Sequence, residues 1–590
     1  MIARYFIDRP IFAYVIAIFI MLAGLAAMRA LPISQYPEIA PPVVRIVAVY
    51  PGASAEVIEQ AVAAPIENAV NGVEDMIYMS STSSSAGEVT IEVTFDIGAD
   101  VDQATLNVNN RVKQIETRLP QEVRRQGVAV QKGSSSFLQV LAFYSDDARY
   151  DALFISNYIK LNVLDRLKRI PGAADVQIFG AKDYAMRVWL NPDRMAQLGV
   201  TVDDVARVVN EQNAQFAAGK IGDSPIGGDQ ELVYSITTSG RLSSVEEFGD
   251  VIIRTGPDGS SLRLRDVARV ELGAQSYNFN GTYNGHESAL IGVFLQPGSN
   301  ALAVGDAVKA ALDELRPAFP ESIRVEVPYD TTRFVEVSIR EVLKTLGEAM
   351  LLVFLVVYLF LQNWRATLIP TLAVPVSLLG TFAGMYMLGF SINTLTLFGM
   401  VLSIGIVVDD AIVVLENVER IMHEQAKSAR DAAIQAMKEV SGPIVAIVLV
   451  LVSVFVPIAF LGGLTGELYR QFAITIAISV SLSGVVALTM TPSLCVMILR
   501  NEHKQTNFFF RGFNRFFSRS TKGYVRGVRF MLKRSVVTLL LFGGMVAITA
   551  QLWVNTPSSL VPEEDQGYYI AAVFLPDGSS LDRTQAVVDK

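Results

Sequence analysis

Apolar and polar positions divide this chain into two kinds of segment. Seven apolar stretches, near residues 10–29, 342–361, 366–388, 392–418, 440–461, 471–499 and 535–555, are each long enough to cross a bilayer core of about 30 Å. Residues 30–341, between the first and second stretches, have a different character. There, strand-like runs (VVRIVAVYP, VTIEVTFDI, FLQVLAFYS, YAMRVWLNP) alternate with polar helical ones (SAEVIEQAVAAPIENAV, DVDQATLNVNNRVKQIETRL, SNYIKLNVLDRLKRI). The former show period-two or continuous apolar patterns, the latter a period of about 3.6. The pattern predicts a polytopic α-helical membrane protein carrying large α+β domains built from strand–helix–strand units.

The N-terminal MIARYFIDRP and the apolar run after it could be read as a secretion signal. That run is long for a signal core, and no small-residue cleavage site precedes Arg29, so it reads as a retained first span. Segment 500–534 carries ten Lys/Arg against one acid, Glu502. Short basic loops stay in the cytoplasm, and counting spans back puts residues 1–9 inside and the α+β block outside. Phe508, Phe509, Phe510, Phe513, Phe516 and Phe517 interleave with Arg511, Arg515 and Arg519. This suits an amphipathic helix lying on the inner leaflet of the lipid bilayer; an ordinary basic linker is the alternative.

Composition narrows the function. Of 590 residues, 51% are hydrophobic and 18% charged, more apolar than a soluble chain of this size. The net charge of −9 argues against a nucleic-acid partner. Cys495 is the one cysteine, and His286, His423 and His503 are scattered, so neither a disulfide nor a histidine-rich metal site is expected. No phosphate-binding GxxxxGK[ST] loop is present and no cofactor is implied. An internal repeat is more informative: residues 35–62 match residues 560–587 at an offset of 525, pairing Pro37–Glu38 with Pro562–Glu563, Pro51 with Pro576 and Ser54 with Ser579. In both copies an apolar span comes first and a strand precedes the second proline. The expectation is a chain holding one half of a two-copy protein plus the start of the second copy.

Asp409 and Asp410 sit side by side in VLSIGIVVDDAIVVLE (401–416). A charge near the bilayer centre costs at least about 2.5–3.5 kcal/mol, and such residues commonly mark ion or proton pathways. Neighbouring helical residues diverge by about 100°, so the two carboxylates share an edge of the helix. In a poorly solvated site each disfavours the other's charge, which allows a proton to bind and leave near physiological pH. Glu416, seven residues after Asp409, falls on the same face and could extend a relay toward the cytoplasm. A buried ion pair that only fixes packing is the alternative, but no Lys or Arg lies in the apolar heart of another span. An intramembrane protease would need its two aspartates on facing helices, so no enzyme is expected.

FSINTLTLFGMVLSIGIVVDDAIVVLENVER (390–420) resembles the fourth-helix signature of resistance–nodulation–division (RND) transporters, most closely the AcrB-type hydrophobe/amphiphile multidrug efflux pumps of Gram-negative inner membranes. FIDRPIFA (6–13), LPISQYPEIAPP (31–42), YPGASAEVIE (50–59), PYDTT (328–332), YLFLQNWRATLIP (358–370) and TPSLC (491–495) are similar as well. The resemblance implies a homotrimeric drug/proton antiporter in the inner membrane. It would work with a periplasmic adaptor and an outer-membrane channel on lipophilic drugs, dyes and detergents. Asp409 and Asp410 would be the proton-translocating pair, their lysine partner lying on a tenth span beyond this chain.

The resemblance further divides the chain. Residues 30–134 would form a first periplasmic porter subdomain, and 135–182 with 273–332 a second. Residues 183–272 would form a funnel or docking domain whose loop 212–230 reaches a neighbouring subunit. Residues 333–499 would hold spans two to six, 535–555 the seventh, and 556–590 the start of a second porter domain. Helix 102–118 would line the three-fold axis. The family's phenylalanine-rich pocket implies Phe137, Gln177 and Phe179, with Asn278, Phe279 and Tyr329 nearby. Taken alone, a phenylalanine at a strand end is more often core than pocket. A metal-cation exporter is the runner-up, yet residues 30–340 contain only Met76, Met79, Met186 and Met195 as soft ligands. A non-transporting assembly or protein-export accessory is the third reading.

Overall fold

The structure is a computed structural model that describes residues 2–37, 41–133, 137–147, 149–215, 217–223, 225, 231–237, 240–257, 259–500, 508–556, 565–576 and 578–590. Among these, seven helices are long and apolar enough to cross a membrane: TM1 (Pro10–Ala30), TM2 (Thr331–Leu361), TM3 (Trp364–Met387), TM4 (Thr394–Gln425), TM5 (Ala429–Phe460), TM6 (Thr465–Ile498) and TM7 (Ser535–Asn555). The chain is therefore a multi-pass membrane protein. Local chemistry sets the helix ends. Pro10 opens TM1, where its missing N–H costs nothing. Asn363 caps TM3, Asn393 caps TM4 and Ser428 caps TM5, each side-chain oxygen accepting a free backbone N–H of the first turn. TM2 ends at Gln362 and TM4 at Ala426, both left-handed at φ +53° and +50°, where a helix cannot continue.

TM3, TM4 and TM6 form the buried centre of the bundle, while TM2, TM5 and TM7 lie at its edge. TM1 meets the TM3 backbone at Gly24. A Cβ there would stand 1.9 Å from the Leu379 carbonyl oxygen, so only glycine allows the approach.

Outside the membrane, β1 (Val43–Val49), β2 (Met76–Ser83), β3 (Glu88–Phe95) and β4 (Val128–Gly133) form one antiparallel sheet in the order β2-β3-β1-β4. Ile58, Val62, Ile66, Val108 and Val112 from its two helical segments pack on Val44, Ile46, Ile91 and Val93 of the sheet. The connectivity is the split βαβ arrangement. It recurs in a second sheet that begins with β5 (Phe137–Ser145) and β6 (Ala173–Phe179). After β6 the chain leaves that sheet and builds a separate unit. There β7 (Tyr184–Leu190) pairs with β12 (Ala268–Ala274), β8 (Lys220–Ile221) with β9 (Tyr234–Ser235), and β10 (Ile252–Thr255) with β11 (Ser261–Arg263). Met195, Val205, Val208, Leu264 and Val267 give this insertion its own core. The chain returns through β13 (Thr282–Tyr283) into β14 (His286–Leu295) and closes the second sheet with β15 (Ile323–Asp330), in the order β6-β14-β5-β15. β15 runs without a break into TM2, a helix of 31 residues or about 46 Å, whose first turns stand outside a 30 Å core.

One helix, Phe508–Lys533, occupies most of the basic segment. Among the described residues after TM7, the helix Leu581–Val588 is the one regular element. The strand read before Pro576 is not made: residues 568–576 have no neighbouring strand among the described residues to receive their N–H and C=O groups. Pro562–Glu563 of the repeat, residues 501–507 of the basic segment, and Phe216, Ser224 and residues 226–230 of the long loop lie outside the described residues.

Candidate functional site

Asp409 and Asp410 fall midway along TM4, whose small and hydroxyl-bearing face packs on TM6. Asp410 points into that seam and is 5% exposed. Its Oδ2 accepts a 2.8 Å hydrogen bond from Ser483 Oγ of TM6, which also lies 2.9 Å from the Val407 carbonyl. One hydroxyl proton can serve only one acceptor at a time, so Ser483 has a second acceptor available when Asp410 is protonated. Asp409 and Glu416 lie on the adjoining, exposed face of TM4 with Phe398, Leu402 and Gly405, about 100° around the helix from Asp410, and have no partner among the described residues. TM4 thus brings Asp409 and Glu416 to one face and turns Asp410 to another.

Above Asp410 runs a file of polar side chains that sequence reasoning missed. Gln471, Thr475, Ser479 and Ser483 recur at every fourth position of TM6, and all are buried. Gln471 Oε1 accepts from Asn393 Nδ2 at 2.9 Å, Thr475 donates to the Gln471 carbonyl at 2.6 Å, and Ser479 donates to Ser403 Oγ at 2.9 Å. Four polar residues at helical spacing inside an apolar run were the available signal.

The outer end of this file opens on a cleft of about 470 Å³, lined by Ser34, Gln35, Ser391, Gln471, Phe137 and Tyr329 among others. Residues 32–35 form a strap there, held to the TM3–TM4 loop by three backbone bonds. Ser34 N–H donates to Ile392 at 3.1 Å, Ile392 N–H to Pro32 at 2.9 Å, and Thr394 N–H to Gln35 at 3.1 Å. On its other side the Ile33 carbonyl accepts from Ala301 N–H at 2.9 Å, at the start of helix Ala301–Leu315 in the second sheet. Asp330, last residue of β15, caps TM2 through Thr332 and faces Lys309 Nζ of that same helix at 2.9 Å.

The aromatic residues divide between two places. Phe137 and Phe179 lie with ring centres 6.0 Å apart, and Phe294, not foreseen from the sequence, packs against Phe137 at 4.4 Å with its ring tilted by 38°. Gln177 lies beside them in β6, opposite Gly292 of β14. Phe279 packs over Gly180 and shares with Phe179 a cavity of only about 10 Å³, too small for any ligand. Asn278 stays on the exposed loop, its N–H donating to Ser276 Oγ. Tyr329 lines the large cleft with Phe137 and bonds Tyr568 hydroxyl to hydroxyl at 3.2 Å. Burial first, then that bond, pushes the Tyr329 phenol up to about 12, so it stays neutral at physiological pH.

Comparison with known proteins agrees with this architecture. The family model described as the AcrB/AcrD/AcrF family matches residues 2–590. The chain is 49% identical over 592 residues to the multidrug export protein AcrF of Escherichia coli (strain K12), and 46% identical over 596 residues to the multidrug resistance protein MdtF of the same strain. It is 44% identical over 593 residues to the toluene efflux pump membrane transporter TtgB of Pseudomonas putida. Each match covers 100% of this chain but only 56–57% of the relative, so the chain spans a little over half the length of these proteins. With the family model matched along its length and an RND-type arrangement of membrane helices and split βαβ domains, the chain belongs to the AcrB/AcrD/AcrF family.

Proposed function

We propose that the whole protein is an inner-membrane exporter that drives lipophilic and amphiphilic compounds outward against an inflow of protons. The observation that carries this reading is the buried Asp410, midway through the membrane, at the inner end of a polar file that opens on an outer cleft. Protons entering at the cleft pass along the Gln471–Ser483 face and neutralise Asp410. Ser483 then turns its proton to the Val407 carbonyl, and the charge-assisted hold between TM4 and TM6 is lost. Asp409 and Glu416, on the open face, carry the exchange with whatever covers that face. A proton moving down 100 mV releases about 2.3 kcal/mol. The release reaches the second sheet through TM2 and through the strap. There Phe137, Phe179 and Phe294 offer rings that hold varied apolar molecules by area and stacking, with Gln177 and Tyr329 as polar neighbours; Phe279 packs behind Phe179 on Gly180, and Asn278 stands on the exposed loop next to it. As in the family, the working unit would be a homotrimer joined to a periplasmic adaptor and an outer-membrane channel.

The test is export of a lipophilic fluorescent dye from proteoliposomes under an imposed pH gradient, comparing the whole protein with Asp409→Asn and Asp410→Asn. Both variants are expected to assemble and to lose gradient-driven export. Full export by both would place the proton site elsewhere.

A further inference from the structure

The helix Phe508–Lys533 carries seven cations, Arg511, Arg515, Arg519, Lys522, Arg526, Arg529 and Lys533, and no acid. They are separated by four, four, three, four, three and four residues. At about 100° per residue all seven fall within an arc of about 80°, in a stripe about 33 Å long. None is paired with a carboxylate among the described residues, although surface cations elsewhere in the chain regularly are.

The opposite side of this helix is aromatic, and TM2 covers part of it. Phe360 of TM2 meets the Phe513 and Phe517 rings edge-on, each at 5.5 Å, and Tyr358 meets Phe510 at 5.8 Å. The Gln362 amide donates to Asn514 at 2.7 Å. Among the exposed rings of this helix, Phe509 and Phe516 lie between the TM2 contact and the cationic arc and are 69% and 67% exposed. A helix that sinks those two rings into the inner leaflet sets Arg515, Arg519 and Arg526, their neighbours around the helix, at the depth of lipid phosphates.

We propose that this stripe is a binding site for anionic phospholipid headgroups, and that bound lipid fixes the cytoplasmic end of TM2 through the Phe360 and Gln362 contacts. The match is one of charge: a row of unpaired guanidinium and ammonium groups at the surface of a leaflet that can supply phosphodiesters. The inference does not rest on the export reading, because it concerns equilibrium lipid binding.

The whole protein would be exchanged into vesicles of equal phosphatidylcholine and phosphatidylglycerol, re-extracted, and its retained lipids counted by mass spectrometry. The retained phosphatidylglycerol-to-phosphatidylcholine ratio should exceed that of the vesicles roughly threefold or more, and should fall toward one in 0.5 M salt, a measurement that needs no variant. Replacing Arg511, Arg515, Arg519, Arg526 and Arg529 together by Gln should remove the enrichment, and replacing the same five by Lys should keep it. A ratio near one in the wild type overturns the proposal, as does an enrichment that salt and the Gln set leave intact. So does a Gln set that keeps its lipid but loses a co-purifying acidic protein.

Discussion

Asp330 is where the second outer sheet becomes a membrane helix, and replacing it tests how firmly the two are joined. Its side chain is 1% exposed. Oδ1 accepts from Thr332 N–H at 3.0 Å and from Thr332 Oγ1 at 2.6 Å, while Lys309 Nζ stands 2.9 Å from Oδ2. Oδ2 makes no well-directed hydrogen bond, so the hold of Lys309 is chiefly electrostatic. Burial by itself would favour the neutral acid, yet the Thr332 bonds and Lys309 outweigh it and keep the carboxyl below its ordinary value. Asp330→Asn retains a cap and deletes the charge. A fully buried broken pair costs about 3–5 kcal/mol, but Lys309 is 41% exposed and recovers much of its hydration, leaving about 1–2 kcal/mol. Asp330→Ala also removes the cap, about 1 kcal/mol more.

The readout is amide hydrogen exchange in β15 and β5, where Asp330 lies opposite Gln139 and Tyr329 opposite Val140. At pH 7 these amides should exchange about tenfold faster in Asp330→Asn, the equivalent of about 1.4 kcal/mol, and faster still in Asp330→Ala. The pH dependence has a definite sign. Because the folded-state value is depressed, the carboxylate's contribution is fully present above the unfolded value of about 3.9 and is lost as pH falls through the folded value below it. The ratio between wild type and Asp330→Asn should hold steady from pH 7 to about pH 5 and narrow below about pH 4. Equal exchange at pH 7, or a ratio that widens on acidification, would refute the reasoning.

Three further perturbations address the membrane half. Ser483→Ala removes the donor to a buried carboxylate, a bond to charge of about 1.5–3 kcal/mol, and should slow gradient-driven dye export about tenfold or more with assembly unchanged; unaltered export would mean that the hydroxyl has no part in proton exchange. Asn393→Ala removes the TM4 cap and the bond to Gln471 at once, and should lower the melting temperature in detergent by several degrees, from a loss of about 2–3 kcal/mol. Gly24→Leu would drive its side chain into the Leu379 carbonyl. With backbone on the other side unable to yield, folded protein recovered from membranes should fall severalfold, whereas Leu25→Ala, at an exposed position, should leave the yield unchanged.

The spans, the alternating strands and the two aspartates were legible because each is a local pattern: a run, a period, a charge out of place. What escaped was whatever depends on pairing between distant segments. Phe294 meets Phe137 because β14 pairs with both β5 and β6, although the whole insertion separates β14 from β6 in sequence. Residues 568–576 have a strand's composition and no strand, because composition supplies no partner. The hydroxyl file escaped for another reason. Serine and threonine leave hydropathy nearly flat, and those in TM6 return bonds to their own helix, as Thr475 does to Gln471, so they read as neutral filler unless their spacing is counted. The two aspartates were found together but not told apart, since adjacency in sequence cannot say which one faces TM6.

TM4 and TM2 reach the same part of the second sheet by separate routes. TM2 arrives as a continuation of β15, and TM4 through Asn393, the 391–394 loop and the strap, whose Ile33 carbonyl holds Ala301. Helix Ala301–Leu315 then returns to TM2 through Lys309 and Asp330. These contacts close a ring. TM2 also packs on TM4 directly, Val342 and Val357 sharing a core with Ile404, Val407 and Val408. Tied to TM4 through the strap, the ion pair and this packing, it cannot shift along its axis without moving either TM4 or helix Ala301–Leu315. On the proposed reading, a displacement that begins at Asp410 would be delivered to the sheet that carries Phe137, Phe179 and Phe294, with the Lys309–Asp330 pair one link of a coupling that the direct packing of TM2 on TM4 also carries.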